Sequence, residues 1–310
     1  MVIVKIAVIL ELKMSALLLF GAGASFGSES GNPPPLGPDL FHALQRFDPI
    51  GWGSISKGLA VEFQQDFEEA MTKIDPTKLP PLQRKMAQYF FQFQPNSSSL
   101  YRDLAQCIKG KNWDGAICSL NYERLLEIAL TQSGLKPVCN SPTDPGRTIE
   151  LCLPHGCCHL FCESVKGNAK AVTFDPYRVK TSGTIKPISN QIEYDSRIEK
   201  DAFPPVMSYF EPNKRTSSGA NFIQTQRNRW HELASAADCI GIVGVKLRPH
   251  DGHIWDPLIV TKAKIIYCSG RNAAADYQAW ATKYGRKQDS TLTGYFREEF
   301  GNICKGIGLA

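Results

Sequence analysis

The sequence predicts an α/β protein: a parallel sheet with helices on both faces, and a helical insertion after the first strand. Three observations carry this. Short continuous apolar runs at "SALLLF" (15–20), "GAICSLN" (115–121), "ADCIGIVGV" (237–245) and "AKIIYCSG" (263–270) read as strands buried on both faces. Helical patterns precede the last two, at "FIQTQRNRWHELASAA" (222–237) and "GHIWDPLIVTKA" (252–263), and strands alternating with helices argue for parallel pairing. Between Asp39 and Gly110, "PDLFHALQRF", "LAVEFQQDFEEAMTKI", "PLQRKMAQYFFQF" and "SLYRDLAQCIKG" place apolar residues at three- and four-residue spacing between Pro-, Gly- and Ser-containing joints. The expectation is a single domain over 1–310, with a Rossmann-like core over about 14–38 and 111–310 and the helical insertion over about 39–110.

A chain of 310 residues can bury a substantial core, and 43% hydrophobic with 21% charged residues is ordinary globular composition. The formal charge of +5 is mild and no long single-sign run occurs, so direct nucleic-acid binding is not expected. The apolar start "MVIVKIAVILELKMSALLLF" is interrupted by Glu11 and Lys13, leaving each side too short to span a bilayer. Cleavage of it as a signal would cut the glycine loop that follows, so the chain reads as cytoplasmic; Met14 as the natural start is a second reading. The ten cysteines then read as reduced, mostly buried thiols. The stretch from about 140 to 220, rich in Pro, Thr, Ser and Gly, reads as loops and short strands.

Four places could carry chemistry. In "LLLFGAGASFGSES" a strand ends in Gly21 and Gly23, which let the backbone turn tightly and lie against a ligand, with exposed amides suited to a pyrophosphate. An ordinary glycine turn reads equally well. Phe26 stands where the dinucleotide fingerprint wants a third glycine, the prolines at 33–35 forbid a regular helix through them, and no ribose-binding carboxylate stands about 20 residues on. In "CSLNYERLLEIAL" a strand ends at Asn121, which either presents a neutral amide to a crevice or caps the following helix, with Glu123 and Glu127 near its positive end. In "LCLPHGCCHLFC", His155 is held between Pro154 and Gly156; it is suited to moving a proton near neutral pH or is a structural turn residue. Cys152, Cys157, Cys158, Cys162 and His159 could alternatively take zinc, but they match no paired C-x-x-C pattern. In "CIGIVGVKLRPHDGHIWDPLI" a buried strand ends near Gly244, and His250, Asp251 and His253 are either caps and surface residues or a weak metal set.

In this order, "GAGAS" (21–25), "SLNYERLLE" (119–127), "LPHG" (153–156) and "GIVGVKLRPHDGHI" (241–254) resemble the sirtuin family, and more narrowly the sirtuin-like NAD-hydrolysing domains of bacterial anti-phage defence proteins. The resemblance covers nearly the whole chain. It implies NAD+ as substrate, with no metal expected, and a phosphate-side loop of Gly21, Ala22, Gly23, Ala24 and Ser25 in which the missing third glycine is normal. It makes Asn121 and His155 the catalytic pair, and sets Gly244 with Val245, and Ser269 with Gly270, near the nucleotide. Lys246 departs from the serine that family members often carry. Asp251 fits either a structural cap or a cofactor-side contact.

The chemistry implied is cleavage of the nicotinamide–ribose bond to nicotinamide and ADP-ribose. Positive charge builds on the sugar as a cationic ring leaves neutral, so the site needs a held geometry and a positioned nucleophile instead of a strong acid. Asn121 would orient water and the ribose hydroxyls, while His155 accepts a proton. Deacylating members typically carry a zinc ribbon of two C-x-x-C pairs between the histidine and the later strands. Here that interval holds only Cys157, Cys158 and Cys162 before Cys239, which favours hydrolysis of NAD itself. Competing readings are a protein deacylase or ADP-ribosyltransferase, or a non-catalytic NAD or ADP-ribose binder; a dehydrogenase is disfavoured by the missing carboxylate and glycine. An NAD-depleting defence effector would be toxic if always on, so control is expected from assembly. The partners would be further copies or a separately encoded ATPase, Argonaute-like protein or nucleotide-binding enzyme.

Overall fold

A computed structural model of the chain describes residues 15–139, 147–163, 183–216, 218–248 and 250–310. The readings of the N-terminal segment before Ser15, and of much of the 140–220 stretch, fall outside those residues.

The described strands are β1 (Ala16–Phe20), β2 (Ala116–Ser119), β3 (Lys136–Val138), β4 (Thr148–Cys152), β5 (Leu160–Cys162), β6 (Ile185–Pro187), β7 (Cys239–Val243), β8 (Lys264–Cys268) and β9 (Ser290–Leu292). Seven form one sheet in the order β3-β4-β2-β1-β7-β8-β9, every pair parallel. A small antiparallel pair, β5 with β6, stands apart. From β1 the chain builds the sheet first toward β3 and then, from β7, on the other side. That reversal is a switch point, and ligands of open α/β sheets bind in the crevice beyond the strands' carboxyl ends there.

The helices are α1 (Ala22–Ser28), α2 (Gly37–Phe47), α3 (Lys57–Gln65), α4 (Phe67–Met71), α5 (Leu79–Phe91), α6 (Leu100–Lys111), α7 (Leu125–Gln132), α8 (Gln191–Lys200), α9 (Ala220–Ala236), α10 (Gly252–Val260), α11 (Arg271–Lys283) and α12 (Phe296–Gly306). The expected insertion is α2 to α6, between β1 and β2. One predicted helix of the insertion splits: the Asp66 carboxylate accepts from the amides of Glu68 and Glu69, capping α4 and ending α3 before it. Alternate residues of β1 feed two cores, as period-2 geometry requires. Leu18 and Phe20 pack with the insertion and α12, whereas Leu17 and Leu19 pack with α9, α10 and α11. Among the described residues no helix is long and apolar enough to cross a membrane, and no cysteine forms a disulfide.

Candidate functional site

The ends of β1 and β7 are knitted together by their backbones. Gly21 N–H donates to the Val243 carbonyl at 2.9 Å, and Gly23 N–H to the Gly244 carbonyl at 3.0 Å. A Cβ on Gly21 would lie 2.6 Å from the Gly244 oxygen, and one on Gly244, whose φ is +67°, would lie 1.9 Å from the Ala24 nitrogen. These glycines are therefore demanded by contact between the two loops, not only by approach to a ligand. The expected row of free amides is mostly taken as well, since Ala24 N–H bonds the Gly21 carbonyl. Ala22, exposed, keeps the one amide of the Gly21–Ala24 turn without a partner among the described residues. A short helix, α1, does follow Gly21 directly, and it stops at Ser28 before the prolines.

Ser25 turns inward. Its buried hydroxyl accepts from Asn121 Nδ2 at 2.8 Å, lies 2.9 Å from the Tyr101 hydroxyl and donates to Glu123 Oε1 at 2.5 Å. One hydrogen and two lone pairs satisfy all three contacts when Tyr101 donates, so the network is closed. It also fixes the Asn121 amide: Nδ2 is committed to Ser25, and the buried Oδ1 has no partner. Burial raises the Glu123 carboxyl above its ordinary value, against hydrogen bonds from Ser25 and Leu125. Asn121 does not cap the next helix, which starts only at Leu125, where Glu123 Oε2 accepts the Leu125 amide at 2.6 Å.

His155 follows β4 and is held by its neighbours. Its carbonyl accepts from Ser208 N–H at 2.8 Å, and Gly156, with φ +75°, fits because a Cβ there would meet the Val206 oxygen at 2.0 Å. The ring lies 6.2 Å from that of Tyr122, sits against the Leu120 backbone, and meets His253 with Nε2 to Nε2 at 2.8 Å. Burial, then the charges of Lys214 and Arg227, hold His155 well below the usual histidine range; burial followed by Arg227 and Lys214 pushes His253 down to about 3. Both rings are therefore neutral near pH 7, and their 2.8 Å contact shares one hydrogen between them.

Beside them lies a charged group. Buried Lys214 pairs with Glu68 at 2.7 Å, Glu68 also meets His250 at 2.9 Å, and Arg248 reaches Asp66 at 3.3 Å. Asp251 is the residue just before α10 and does not cap it through its side chain; burial raises its carboxyl, and its Oδ1 has no partner. The histidines suggested for a metal part company, His250 going to Glu68 and His253 to His155. Of the cysteine set, Cys157, Cys158 and His159 come together, but Cys157 Sγ bonds His159 Nδ1 at 3.2 Å, and His159 Nε2 lies 3.1 Å from Glu127. Cys152 instead donates to the Gln226 carbonyl at 3.1 Å, and Cys162 lies on β5.

The nucleotide-side residues on β7 and β8 also reach the sheet's carboxyl end. Val245 buries its side chain in the core while its carbonyl accepts from Tyr267 at 2.6 Å. Gly270, at φ +82°, donates to Gly294, and partly buried Ser269 precedes it. A separate cavity of about 490 Å³, lined among others by Glu127, His159, Leu151 and Gln226, includes neither Asn121 nor His155. Tyr101, Glu68, Lys214 and Arg227 were not singled out as functional from the sequence. The pairing of Glu68 with Lys214 spans a separation that leaves no periodic trace.

The architecture is that of solved Sir2 proteins. The chain resembles a structure from a study of the mechanism and regulation of Sir2 enzymes at 15% identity and a TM-score of 0.50, over 96% of this chain and 93% of that one. A Sir2 homologue mutant bound to ADP-ribose matches at 14% identity and a TM-score of 0.44, over 96% and 93% of the two chains. A Sir2 homologue in complex with NAD matches at 16% identity and a TM-score of 0.45, over 96% and 92%. No family model and no curated protein matches the sequence.

Proposed function

We propose that the protein cleaves the nicotinamide–ribose bond of NAD+ with water, releasing nicotinamide and ADP-ribose. The observation that carries this is Asn121: its amide is locked through Ser25, leaving a buried carbonyl oxygen unpartnered at the end of β2, while a neutral histidine pair stands at the end of the neighbouring β4. An oxygen so held can position a water or a ribose hydroxyl without adding charge. A neutral imidazole can take the proton released as water adds. Arg227 brings a positive charge to the neighbourhood of the two histidines that suits a pyrophosphate, whereas the Lys214 charge is paired with Glu68. The resemblance of the four motifs and the likeness of fold support the same substrate. Gly21 to Ser25, Gly244, Val245, Ser269 and Gly270 are proposed to face the nucleotide, chiefly through backbone.

The test is nicotinamide release from NAD+, measured for the protein alone and with the products of its genomic neighbours. Release that disappears in Asn121→Ala and His155→Ala supports the reading; release that survives both, or never occurs, refutes it. Release that requires an acylated peptide identifies a deacylase instead. We further propose an NAD-depleting role in anti-phage defence, switched on by self-assembly or by a separately encoded partner. Light scattering with and without NAD+, together with cellular NAD levels after infection, tests that part.

A further inference from the structure

We propose that His253 is a second catalytic residue: it presents the basic nitrogen to the substrate, and His155 stands behind it as the final proton acceptor. This rests on the glycosidic cleavage proposed above. The argument is one of counting hydrogens. The Leu120 backbone lies against the His155 ring, and because His155 Nε2 faces His253 at 2.8 Å, the proposed tautomer puts the His155 hydrogen on Nδ1, toward Leu120. In a neutral imidazole the other nitrogen then has no hydrogen, so His155 Nε2 is the acceptor in the 2.8 Å contact and His253 Nε2–H is the donor. His253 Nδ1 is therefore the bare nitrogen of the pair, and no described residue bonds it. Its backbone carbonyl is tied to His231 Nε2 at 3.1 Å, and it sits in the first turn of α10, less buried than His155.

A ribose hydroxyl or water cannot use His155 Nε2 while the His253 hydrogen occupies that lone pair. It can use His253 Nδ1. As the glycosidic bond breaks, its electron pair goes to the departing nicotinamide, and the water oxygen bonds the anomeric carbon. The O–H proton passes to His253 Nδ1, while the His253 Nε2 proton crosses to His155 Nε2. His155 ends as the imidazolium, its Nδ1 hydrogen still toward Leu120, and His253 ends neutral with its tautomer reversed. Loss of one proton to solvent and return of the tautomers reset the pair. Over the cycle, NAD+ and water give nicotinamide, ADP-ribose and one proton.

Two measurements test this. In wild-type protein, long-range 1H–15N spectra of the imidazoles should show His155 protonated at Nδ1 and His253 at Nε2. Added ADP-ribose should then shift His253 Nδ1 with the inter-ring bond retained. If ADP-ribose breaks that bond and shifts His155 Nε2 instead, the proposal falls while the NAD reading stands; if ADP-ribose does not bind and NAD+ is not cleaved, both fall. In kinetics, His253→Gln keeps a donor for His155 but has no base, so kcat should drop about 100-fold with ADP-ribose affinity within about twofold. The double variant with His155→Ala should be no slower than the slower single one. A His253→Gln enzyme as fast as wild type, or faster, overturns the proposal and makes His253 a mask on His155.

Discussion

An asparagine has no charge to hold it in place, and its oxygen and nitrogen ends differ only in hydrogens, so its orientation depends on what it bonds. For Asn121 that partner is Ser25 Oγ, itself committed to Glu123 and within reach of Tyr101. Ser25→Ala removes the anchor and leaves Asn121 free to turn its amide. We expect nicotinamide release to fall about 10-fold, and stability to fall by about 1–2 kcal/mol as buried partners lose a hydrogen bond; rate assays and urea denaturation read the two effects separately. The strand end at Asn121 was legible in the sequence because an apolar run stops there. Its anchor was not, since Ser25 lies 96 residues away and nothing in "GAGAS" says which way the hydroxyl points.

At the scale of elements, the β1 and β7 turns work as one unit. Gly244→Ala places a Cβ 1.9 Å from the Ala24 nitrogen at a positive φ, where neither the backbone nor its neighbour can yield. We expect a loss of about 3 kcal/mol or more, together with loss of activity. Gly58→Ala, inside α3 with nothing within 4 Å of the new Cβ, should instead stabilise by about 0.5–1 kcal/mol. Equal effects from the two substitutions would refute the backbone-contact account. The helices of the insertion were readable from their spacing, but the break between α3 and α4 was not. Apolar periodicity runs through Asp66, and only its bonds to the Glu68 and Glu69 amides decide the matter.

Across the whole molecule, two ion pairs, one buried and one partly exposed, bear on the pH window of stability. Burial opposes the Glu68 charge, but Lys214 outweighs it and holds the carboxyl below its ordinary 4.5, joining the insertion to the segment before α9. A lowered carboxyl stabilises the fold above its unfolded value, and that contribution is lost as pH falls through the folded one. Burial likewise opposes charge on His159, but Glu127 and Cys157 outweigh it and raise the imidazole to about 10. That contribution is complete below 6.5 and disappears as pH rises through about 10. Glu68→Gln should cost about 3 kcal/mol near neutrality, because it leaves Lys214 buried without its counter-charge, and should flatten the acid limb. Glu127→Gln should cost about 2 kcal/mol, less because Glu127 keeps 26% of its side chain exposed, and should flatten the alkaline limb. Denaturation midpoints measured from pH 3 to 11 check both; unchanged limbs would remove these pairs as the cause.

The sequence alone determined the alternation of strands and helices, the glycine turns, and the placing of Asn121 and His155 at strand ends, because burial and chain reversal leave local patterns. The tertiary structure decided which way those groups face. Ser25 fixes Asn121, His253 covers His155, and Gly244 fills the space beside Gly21 and Gly23 through contacts between residues far apart in the chain. Hydrogen-bond direction and backbone approach depend on neighbours in space, and apolar periodicity carries no record of them.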